Sequence, residues 1–145
     1  MAKIVLKDLV TQCGAYKDVN VVNLEIRDGE FLIMVGPSGC GKTTTLNMIS
    51  GLETPTSGEI SIGDTVVNDL DPGERGLGMV FQDLALFPHM TVFENIAFGL
   101  RVKKVHDAEV KTRLHAAAEA VHITKLLEKM PRQCSGGESQ RVALA

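Results

Sequence analysis

The sequence has no tryptophan, one tyrosine and three cysteines among its 145 residues. The cysteines, Cys13, Cys40 and Cys134, show neither metal-ligand spacing nor a disulfide framework, which favours a reducing cytosol. The longest purely apolar run that we find is Phe31 to Val35, far below the roughly 20 residues that a membrane-spanning helix needs. No secretory signal is visible at the N-terminus. Any contact with a membrane is therefore expected to be made through a partner.

Neither positive nor negative charge is in large excess. The formal net charge of −3 gives no electrostatic reason to expect DNA or RNA binding, so we predict no nucleic-acid partner. The contents of hydrophobic and charged residues, 44% and 23%, are ordinary for a globular protein. The length suits one domain with a sizeable core.

Local patterns predict an α/β arrangement in the first half of the chain. Apolar and β-branched stretches predict five strands, at residues 3–9, 19–26, 31–35, 58–62 and 77–81. The run 31–35 is of the kind found in a strand buried on both faces, as in a parallel sheet. Residues 27–30 predict a turn. A helix is predicted from Lys42 to Ser50, with Leu46 and Ile49 on one side and Gly51 as its stop.

The second half is predicted to be largely helical. Thr91 and Glu94 have capping-box spacing, so a helix is expected to start near Val92. An amphipathic helix is predicted over 107–121, with apolar positions at Val110, Leu114, Ala117 and Val121. A short helix over 124–129, closed by Pro131, and a last helix over 136–145 complete the prediction.

Residues 36–43 match the phosphate-binding pattern G-x-x-x-x-G-K-[ST]. Glycines let successive backbone N–H groups turn inward around phosphate oxygens, and the following helix directs its positive end at the same anion. Lys42 is expected to reach the β- and γ-phosphates, Thr43 to ligate Mg²⁺ and Thr44 to contact the α-phosphate. The alternative is a glycine-rich turn with an incidental lysine. The predicted ATP-binding residues are Gly36, Pro37, Ser38, Gly39, Cys40, Gly41, Lys42, Thr43 and Thr44.

Two later segments narrow the class of P-loop protein. One is Val80-Phe81-Gln82-Asp83, and the other contains Ser135-Gly136-Gly137-Glu138. With phosphate loop, glutamine and Ser-Gly-Gly segment in this order, the sequence resembles the ATP-binding subunits of ABC transporters over essentially the whole chain. It is most similar to importers of sugars and related solutes, such as the maltose type. The resemblance implies a P-loop NTPase core, a mixed sheet with helices, over 1–83 and a largely helical subdomain with the signature over 84–145.

The resemblance also implies roles for single residues. Lys42 and Gln82 are the expected catalytic residues, and Gln82 would sense the γ-phosphate through Mg²⁺, which Thr43 and Gln82 would ligate. Ser135, Gly136 and Gly137 would start a helix that faces the ATP of a second ATP-binding subunit, in a homodimer or a related heterodimer. The alternatives are a polar residue at a strand end for Gln82 and a plain helix cap for Ser135.

The family implies transmembrane permease partners, which would bind a groove near Leu84–Met90. The alternative for Leu84 and Leu86 is packing inside the helical subdomain. The expected function is coupling of ATP binding and hydrolysis to solute import, with carbohydrate as the expected solute. The expected location is peripheral, at the cytoplasmic face of the cell membrane.

The sequence departs from the family at two sites. The position of the adenine-stacking aromatic residue falls at Cys13, so either Tyr16 stacks on the base in a rearranged loop or stacking is weakened, by about 1–3 kcal/mol if energies from nucleic-acid binding transfer. Cys134 and Glu138 replace the usual Leu and Gln of the signature. Because Glu138 has capping-box spacing from Ser135, we expect it to fold back onto the Ser135 amide and to weaken ATP binding by the signature.

The family continues with a strand that ends in Asp-Glu and with a switch histidine, and none of these falls within the 145 residues. We therefore expect that this chain alone does not hydrolyse ATP. The missing strand would lie beside the strand that carries the phosphate loop, so we also expect unpaired backbone groups and exposed apolar faces in the middle of the sheet, and a chain that is unstable or prone to aggregate. Two further readings stay open at this point. The chain could be a regulatory module that binds nucleotide without hydrolysis, or the inactive product of a truncated gene.

Overall fold

The computed structural model describes residues 2–13 and 16–145, without the side chains of residues 12–20. The chain divides into two compact units, Met1–Met79 and Val80–Ala145. The sequence predicts a boundary after residue 83 between an ATP-binding core and a helical subdomain. This functional division stays a prediction.

The first unit is built on a sheet of four antiparallel strands in the order β2-β1-β3-β4. The strands are β1 (Ile4–Cys13), β2 (Tyr16–Ile26), β3 (Ser57–Ile62) and β4 (Thr65–Val66). Ile4 pairs with Ile26 on one side and with Ile62 on the other, which fixes the register at this end of the sheet. The strand β4 was not predicted, because two residues are too few for a period-2 pattern.

One helix packs on this sheet. The helix α1 runs from Lys42 to Ser50 and ends at Gly51, as predicted. Met48 and Ile49 are buried in a core whose other buried members are Leu6, Leu9, Ile60 and Val67. The prediction that Leu46 shares the side of Ile49 holds only in part. Leu46 is 49% exposed and, like Ile49, lines an open cavity beside the segment 31–34.

The strands predicted at 31–35 and 77–81 are wrong, because neither segment belongs to a strand in the structure. Phe31 and Val35 are 87% and 89% exposed, and the apolar cavity beside 31–34 measures about 590 Å³. An apolar run predicts that a segment can be buried, but a strand forms only where a second strand pairs with it. No strand pairs with either segment within the described residues. The exposed apolar residues thus lie in a segment outside the sheet and not, as expected, in the middle of the sheet.

The second unit contains three helices: α2 (Val92–Val102), α3 (Asp107–Ala120) and α4 (Gly136–Leu144). The buried alanine of α3 is Ala118, not the predicted Ala117, because Val110, Leu114 and Ala118 form one stripe with a spacing of four residues. The unit's buried core consists of Val92, Ala97, Val110, Leu114, Ala118, Ile123, Leu126, Leu127 and Val142.

Two short segments of the second unit differ from the prediction. The helix predicted at 124–129 is a 3₁₀ turn of three residues, Thr124–Leu126. Pro131 starts another such turn, Pro131–Gln133, because its fixed φ suits the first position of a helical turn. In the part of the chain that the structure covers, no helix has the length and apolar character needed to cross a membrane.

Candidate phosphate-binding site

The loop before α1 has the backbone conformation of an anion-binding turn. Gly39 and Gly41 have φ angles of 79° and 85°, in the left-handed region that favours glycine. Gly41 is the N-cap of α1, and as a glycine it has no side chain to accept a hydrogen bond from the amides of the first turn. The first amides of a helix have no partner within the helix and carry its positive partial charge. The start of α1 is therefore free to bind an anion.

The ammonium group of Lys42 lies inside this loop. Its Nζ donates hydrogen bonds to the carbonyl oxygens of Gly36 and Pro37, both at 2.8 Å, and lies 3.3 Å from the sulfur of Cys40. The carbonyls thus hold the positive charge against the loop rather than letting it extend into solvent. This places a cation beside the open amides, where a phosphate group needs one.

Close packing between Gly36 and Cys40 leaves no room for a larger residue at the first position of the motif. A Cβ built on Gly36 would lie 2.6 Å from the sulfur of Cys40 and 4.0 Å from Nζ of Lys42. The sulfur would have to move, whereas the ammonium group would be in ordinary van der Waals contact. Glycine at the first position of the motif therefore leaves room for the sulfur of Cys40 in its present place.

An open cavity of about 390 Å³ lies at the start of α1. Its lining is largely polar and consists of Ser38, Gly39, Gly41, Lys42, Thr43 and Thr44. Gly36 and Pro37 contribute carbonyl groups that hold Lys42, and Cys40 contributes its sulfur. Six of the nine predicted residues therefore line the cavity, and the other three hold or contact Lys42.

Sequence reasoning missed Thr45, which fixes the start of the helix. Its amide and its hydroxyl both donate to the carbonyl oxygen of Gly41 at 2.8 Å, and the residue is 2% exposed. Threonine in a helix makes such a bond to the residue four positions before it. A threonine four residues after Gly41 is visible in the sequence, but the phosphate-binding motif ends before Thr45.

Gln82 belongs to the second unit, where it is exposed in a turn. The turn is closed by a hydrogen bond from the Leu84 amide to the Phe81 carbonyl at 3.0 Å. The prediction that Gln82 ends a strand is wrong, because residues 77–81 form none. Leu84 and Ala85 follow with φ angles of 63° and 46°, a strained conformation for residues other than glycine. The roles of Gln82 and Thr43 as metal ligands stay predictions.

The signature segment begins the helix α4 as predicted. Ser135 is the N-cap, and Gly136 and Gly137 are the first helical residues, all three exposed. Glu138 folds back onto Ser135, as expected from the spacing. The bond from the Ser135 amide is the main reason why the pKa of the Glu138 carboxyl lies below its usual value. The role of this segment toward a second ATP stays a prediction.

The segment Leu84–Met90 is partly packed and partly exposed. Leu86 packs against the core of the second unit, which agrees with the alternative reading for this residue. Phe87 is 36% exposed, and its ring lies 4.7 Å from that of Phe98, which is also exposed. The side chain of Asn95 holds the backbone of this segment. Phe87 of this segment and Phe98 of α2 therefore form an exposed aromatic pair that is available to contact a partner.

One prediction concerns residues at the end of β1 and the start of β2. Cys13 and Tyr16 are opposite each other at the end of β1 and β2, but their side chains lie outside the described part, so adenine stacking by Tyr16 stays a prediction. Among the described residues, no group of three or more His, Cys, Asp and Glu side chains is arranged to hold a metal ion.

The glycine-rich loop with its lysine, the helix that it starts and the later Ser-Gly-Gly cap are features of the P-loop class of proteins. The chain belongs to the ABC transporter family, whose family model matches residues 19–145. The confirmed fold class is an α/β P-loop core with a helical subdomain.

A solved structure has a similar fold. The dimeric post-hydrolysis state of the ATP-binding cassette MJ0796 bound to ADP and Pi is 34% identical in sequence, with a TM-score of 0.84, and the match covers 97% of this chain and 67% of that one.

Curated relatives share a higher identity. The sn-glycerol-3-phosphate import ATP-binding protein UgpC of Bordetella avium is 54% identical over 134 residues, which are 92% of this chain and 37% of the relative. The protein of the same name from Brucella abortus (strain 2308) is 54% identical over 145 residues, 99% of this chain and 41% of the relative. The chain thus spans about two fifths of the length of these relatives.

Proposed function

We propose that the loop 36–44 binds the triphosphate of ATP. The observation that carries this proposal is the juxtaposition of uncapped amides at the start of α1 with the ammonium group of Lys42 at one polar cavity. On phosphate binding, Lys42 would exchange its bonds to Gly36 and Pro37 for bonds to phosphate oxygens. The amides would contribute a second set of donors without any change in the backbone.

Mg²⁺ is the proposed companion of the nucleotide. The hydroxyl of Thr43 lines the cavity, and Gln82 offers an amide oxygen; both are the hard oxygen ligands that Mg²⁺ prefers. When bound, the ion would neutralise charge on the phosphate groups. Thr43 and Gln82 are the residues that we propose as ligands of the ion.

We further propose that this chain serves solute import as an ATP-driven subunit. The relatives are named as import proteins for sn-glycerol 3-phosphate, a small phosphorylated polyol, which supports a carbohydrate-like solute. The dimeric cassette structure supports pairing with a second ATP-binding subunit. In such a pair, Ser135, Gly136 and Gly137 would present the positive end of α4 to the partner's ATP. The exposed Phe87 and Phe98 would contact a membrane permease, which would place the chain peripherally at the cytoplasmic face.

The nucleotide proposal is tested by calorimetric titration of the full chain with ATP, with and without Mg²⁺. The Lys42→Ala variant should bind ATP roughly 10- to 100-fold more weakly, since hydrogen bonds to charged groups contribute about 1.5–3 kcal/mol. The exposed Lys111 in α3 provides a matched control, and Lys111→Ala should bind like the unaltered chain. Equal binding by the Lys42 and Lys111 variants would remove the proposal.

The solute is tested separately in cells. Uptake of labelled sn-glycerol 3-phosphate and of labelled maltose should be compared in cells with and without the gene for this chain. Loss of either uptake identifies the solute class, and unchanged uptake of both contradicts the proposed import of these solutes.

A further inference from the structure

Arg75 is a buried arginine that uses backbone carbonyls as its partners. Its side chain is only 6% exposed. Its guanidinium group donates to Leu70 O at 3.0 Å, Met48 O at 2.8 Å, Ile49 O at 3.1 Å and Asn68 O at 3.2 Å. Burial lowers the pKa of Arg75, but an arginine side chain keeps its charge in proteins. A full positive charge is therefore fixed inside the first unit.

Two of these carbonyls belong to the last turn of α1. Met48 and Ile49 lie near the end of the helix that Lys42 begins, and the last turn contains no basic residue of its own. Carbonyls at a helix end lack partners within the helix and carry a negative partial charge. Arg75, which lies 26–27 residues further along the chain, supplies these carbonyls with hydrogen-bond donors and with a positive charge.

The end of α1 is shaped to receive this side chain. A Cβ built on Gly51 would lie 2.6 Å from Nε and 2.8 Å from Cζ of Arg75. Gly51 also has a φ of 83°, which other residues adopt only with strain. Glycine at the helix stop thus serves two purposes. It ends the helix, and it leaves room for a guanidinium group against the helix end.

The other carbonyls connect the helix end to the sheet. Asn68 accepts a bond from Arg75 through its backbone oxygen. The side chain of Asn68 in turn accepts from the Ile60 amide at 2.8 Å and donates to the Gly58 oxygen at 3.0 Å. Gly58 and Ile60 are residues of β3. A continuous set of hydrogen bonds therefore runs from β3 through Asn68 and Arg75 to the end of α1.

We propose that Arg75 is a positioning residue for the triphosphate site. By fixing the C-terminal end of α1 to the sheet, it sets the direction in which the amides at the other end, and Lys42 with them, face the phosphates. A helix of nine residues is short and stiff, so a shift at one end moves the other. This inference rests on the proposed binding of ATP by the loop 36–44.

The test compares two substitutions with a control. Arg75→Met removes the charge and the donors while keeping much of the apolar volume, and Arg75→Lys keeps the charge with fewer donors in another geometry. Arg27→Met alters an exposed arginine of the same unit. ATP affinity is titrated at a temperature where circular dichroism shows each chain folded. We expect roughly tenfold weaker binding for Arg75→Met, partial recovery for Arg75→Lys and no change for Arg27→Met, within the usual range of coupling between sites.

A measurement on the unaltered chain does not depend on the folding of variants. If Arg75 strengthens ATP binding, ATP must strengthen the contacts of Arg75 by the same factor. Hydrogen exchange of the Arg75 Nε–H group, followed by NMR, should therefore slow when ATP saturates the site. AMP at the same concentration should have a smaller effect, since it lacks the β- and γ-phosphates that Lys42 is proposed to reach.

The outcomes separate the two proposals. ATP binding that is absent, or unaffected by Lys42→Ala, overturns the proposed function and this inference with it. Binding that depends on Lys42 but is unchanged in folded Arg75→Met overturns the inference alone. If neither Arg75 variant folds, the exchange measurement decides: slower exchange with ATP supports the positioning role, and unchanged exchange contradicts it.

Discussion

The carboxylate of Glu138 accepts the amide N–H of Ser135 at 2.6 Å, while the hydroxyl of Ser135 accepts the amide N–H of Glu138 at 3.3 Å. This reciprocal cap places a negative charge at the start of α4, where the family resemblance expects a second subunit's ATP. The same positive helix end is therefore offered to two anions, the side chain of Glu138 and a phosphate group.

Replacing Glu138 by glutamine should tighten nucleotide-driven self-association. A glutamine keeps a carbonyl oxygen for the Ser135 amide but removes the repulsion between a carboxylate and a triphosphate. Sedimentation velocity with a non-hydrolysable ATP analogue should show a larger dimer fraction for Glu138→Gln. The matched control is Glu94→Gln, because Thr91 and Glu94 form the same kind of cap on α2. Equal dimer fractions in both variants and the unaltered chain would remove the hypothesis.

The two caps should give the second unit a specific dependence on pH. Bonds from the Ser135 and Thr91 amides are the main reason that the pKa values of Glu138 and Glu94 lie below the ordinary 4.5. A carboxyl whose pKa is lowered by folding stabilises the fold above its unfolded value, and this stabilisation is lost as the pH falls through the folded value.

Thermal melts of the unaltered chain and of a Glu94→Gln/Glu138→Gln double variant test this dependence. The difference in melting temperature should stay constant from pH 7 to about pH 5 and then change in favour of the variant as protonation neutralises the two carboxylates. A difference that is the same at pH 3.5 and pH 7 would show that the caps contribute no pH-dependent stability.

Asn95 should be needed to hold the segment before α2. Its side-chain oxygen accepts from the Phe87 amide at 2.7 Å, and its amide nitrogen donates to the carbonyls of Phe87, Met90 and Thr91 at 2.9–3.1 Å. Asn95→Ala leaves these backbone groups without their partner and should lower the free energy of unfolding by about 1–3 kcal/mol.

Urea denaturation measures this loss, and Gln140→Ala supplies the comparison. Gln140 carries the same amide group on the exposed side of α4. Its removal should change stability by no more than about 0.5 kcal/mol. A loss for Asn95→Ala that is no larger than for Gln140→Ala would show that the segment before α2 does not depend on Asn95.

The exposed apolar residues beside the phosphate loop should cause association of the isolated chain. Phe31, Ile33 and Val35 are 87%, 68% and 89% exposed in a segment that joins no strand. An Ile33→Lys/Val35→Lys variant should reduce light scattering on heating without lowering the melting temperature, because exposed positions contribute little burial. Leu6→Lys, at a position only 1% exposed, should instead unfold the first unit. Scattering that is unchanged in the double variant, or a cooperative melt of the unaltered chain near 60 °C, within the ordinary mesophile range, would contradict this expectation.

The elements that the sequence predicts well are those whose signals are local. The capping pair Thr91 and Glu94 predicts that α2 starts at Val92, and Gly51 predicts the end of α1. The phosphate motif and the reciprocal cap of Ser135 and Glu138 are equally local, since each depends on residues within a few positions. The residues that make up such a signal lie within a few positions of each other, so the signal can be recognised without knowing the fold.

The two wrong strand predictions concern partners distant in sequence. The segments 31–35 and 77–81 are apolar enough for strands, but pairing depends on where other strands lie. Arg75 contacts carbonyls 26–27 residues away, and no local pattern around it indicates a helix end as its target. Long-range contacts of this kind follow from the fold and not from the spacing of neighbouring residues.

The binding of a triphosphate by the loop 36–44 is tested most directly by two-dimensional ¹H–¹⁵N NMR during a titration with ATP. The amides of residues 38–44 should show the largest shifts with ATP and much smaller ones with adenosine, because the phosphates are proposed to make the contacts. If these amides stayed unchanged at saturating ATP, or shifted equally with adenosine, the phosphate-binding role of the loop would be contradicted.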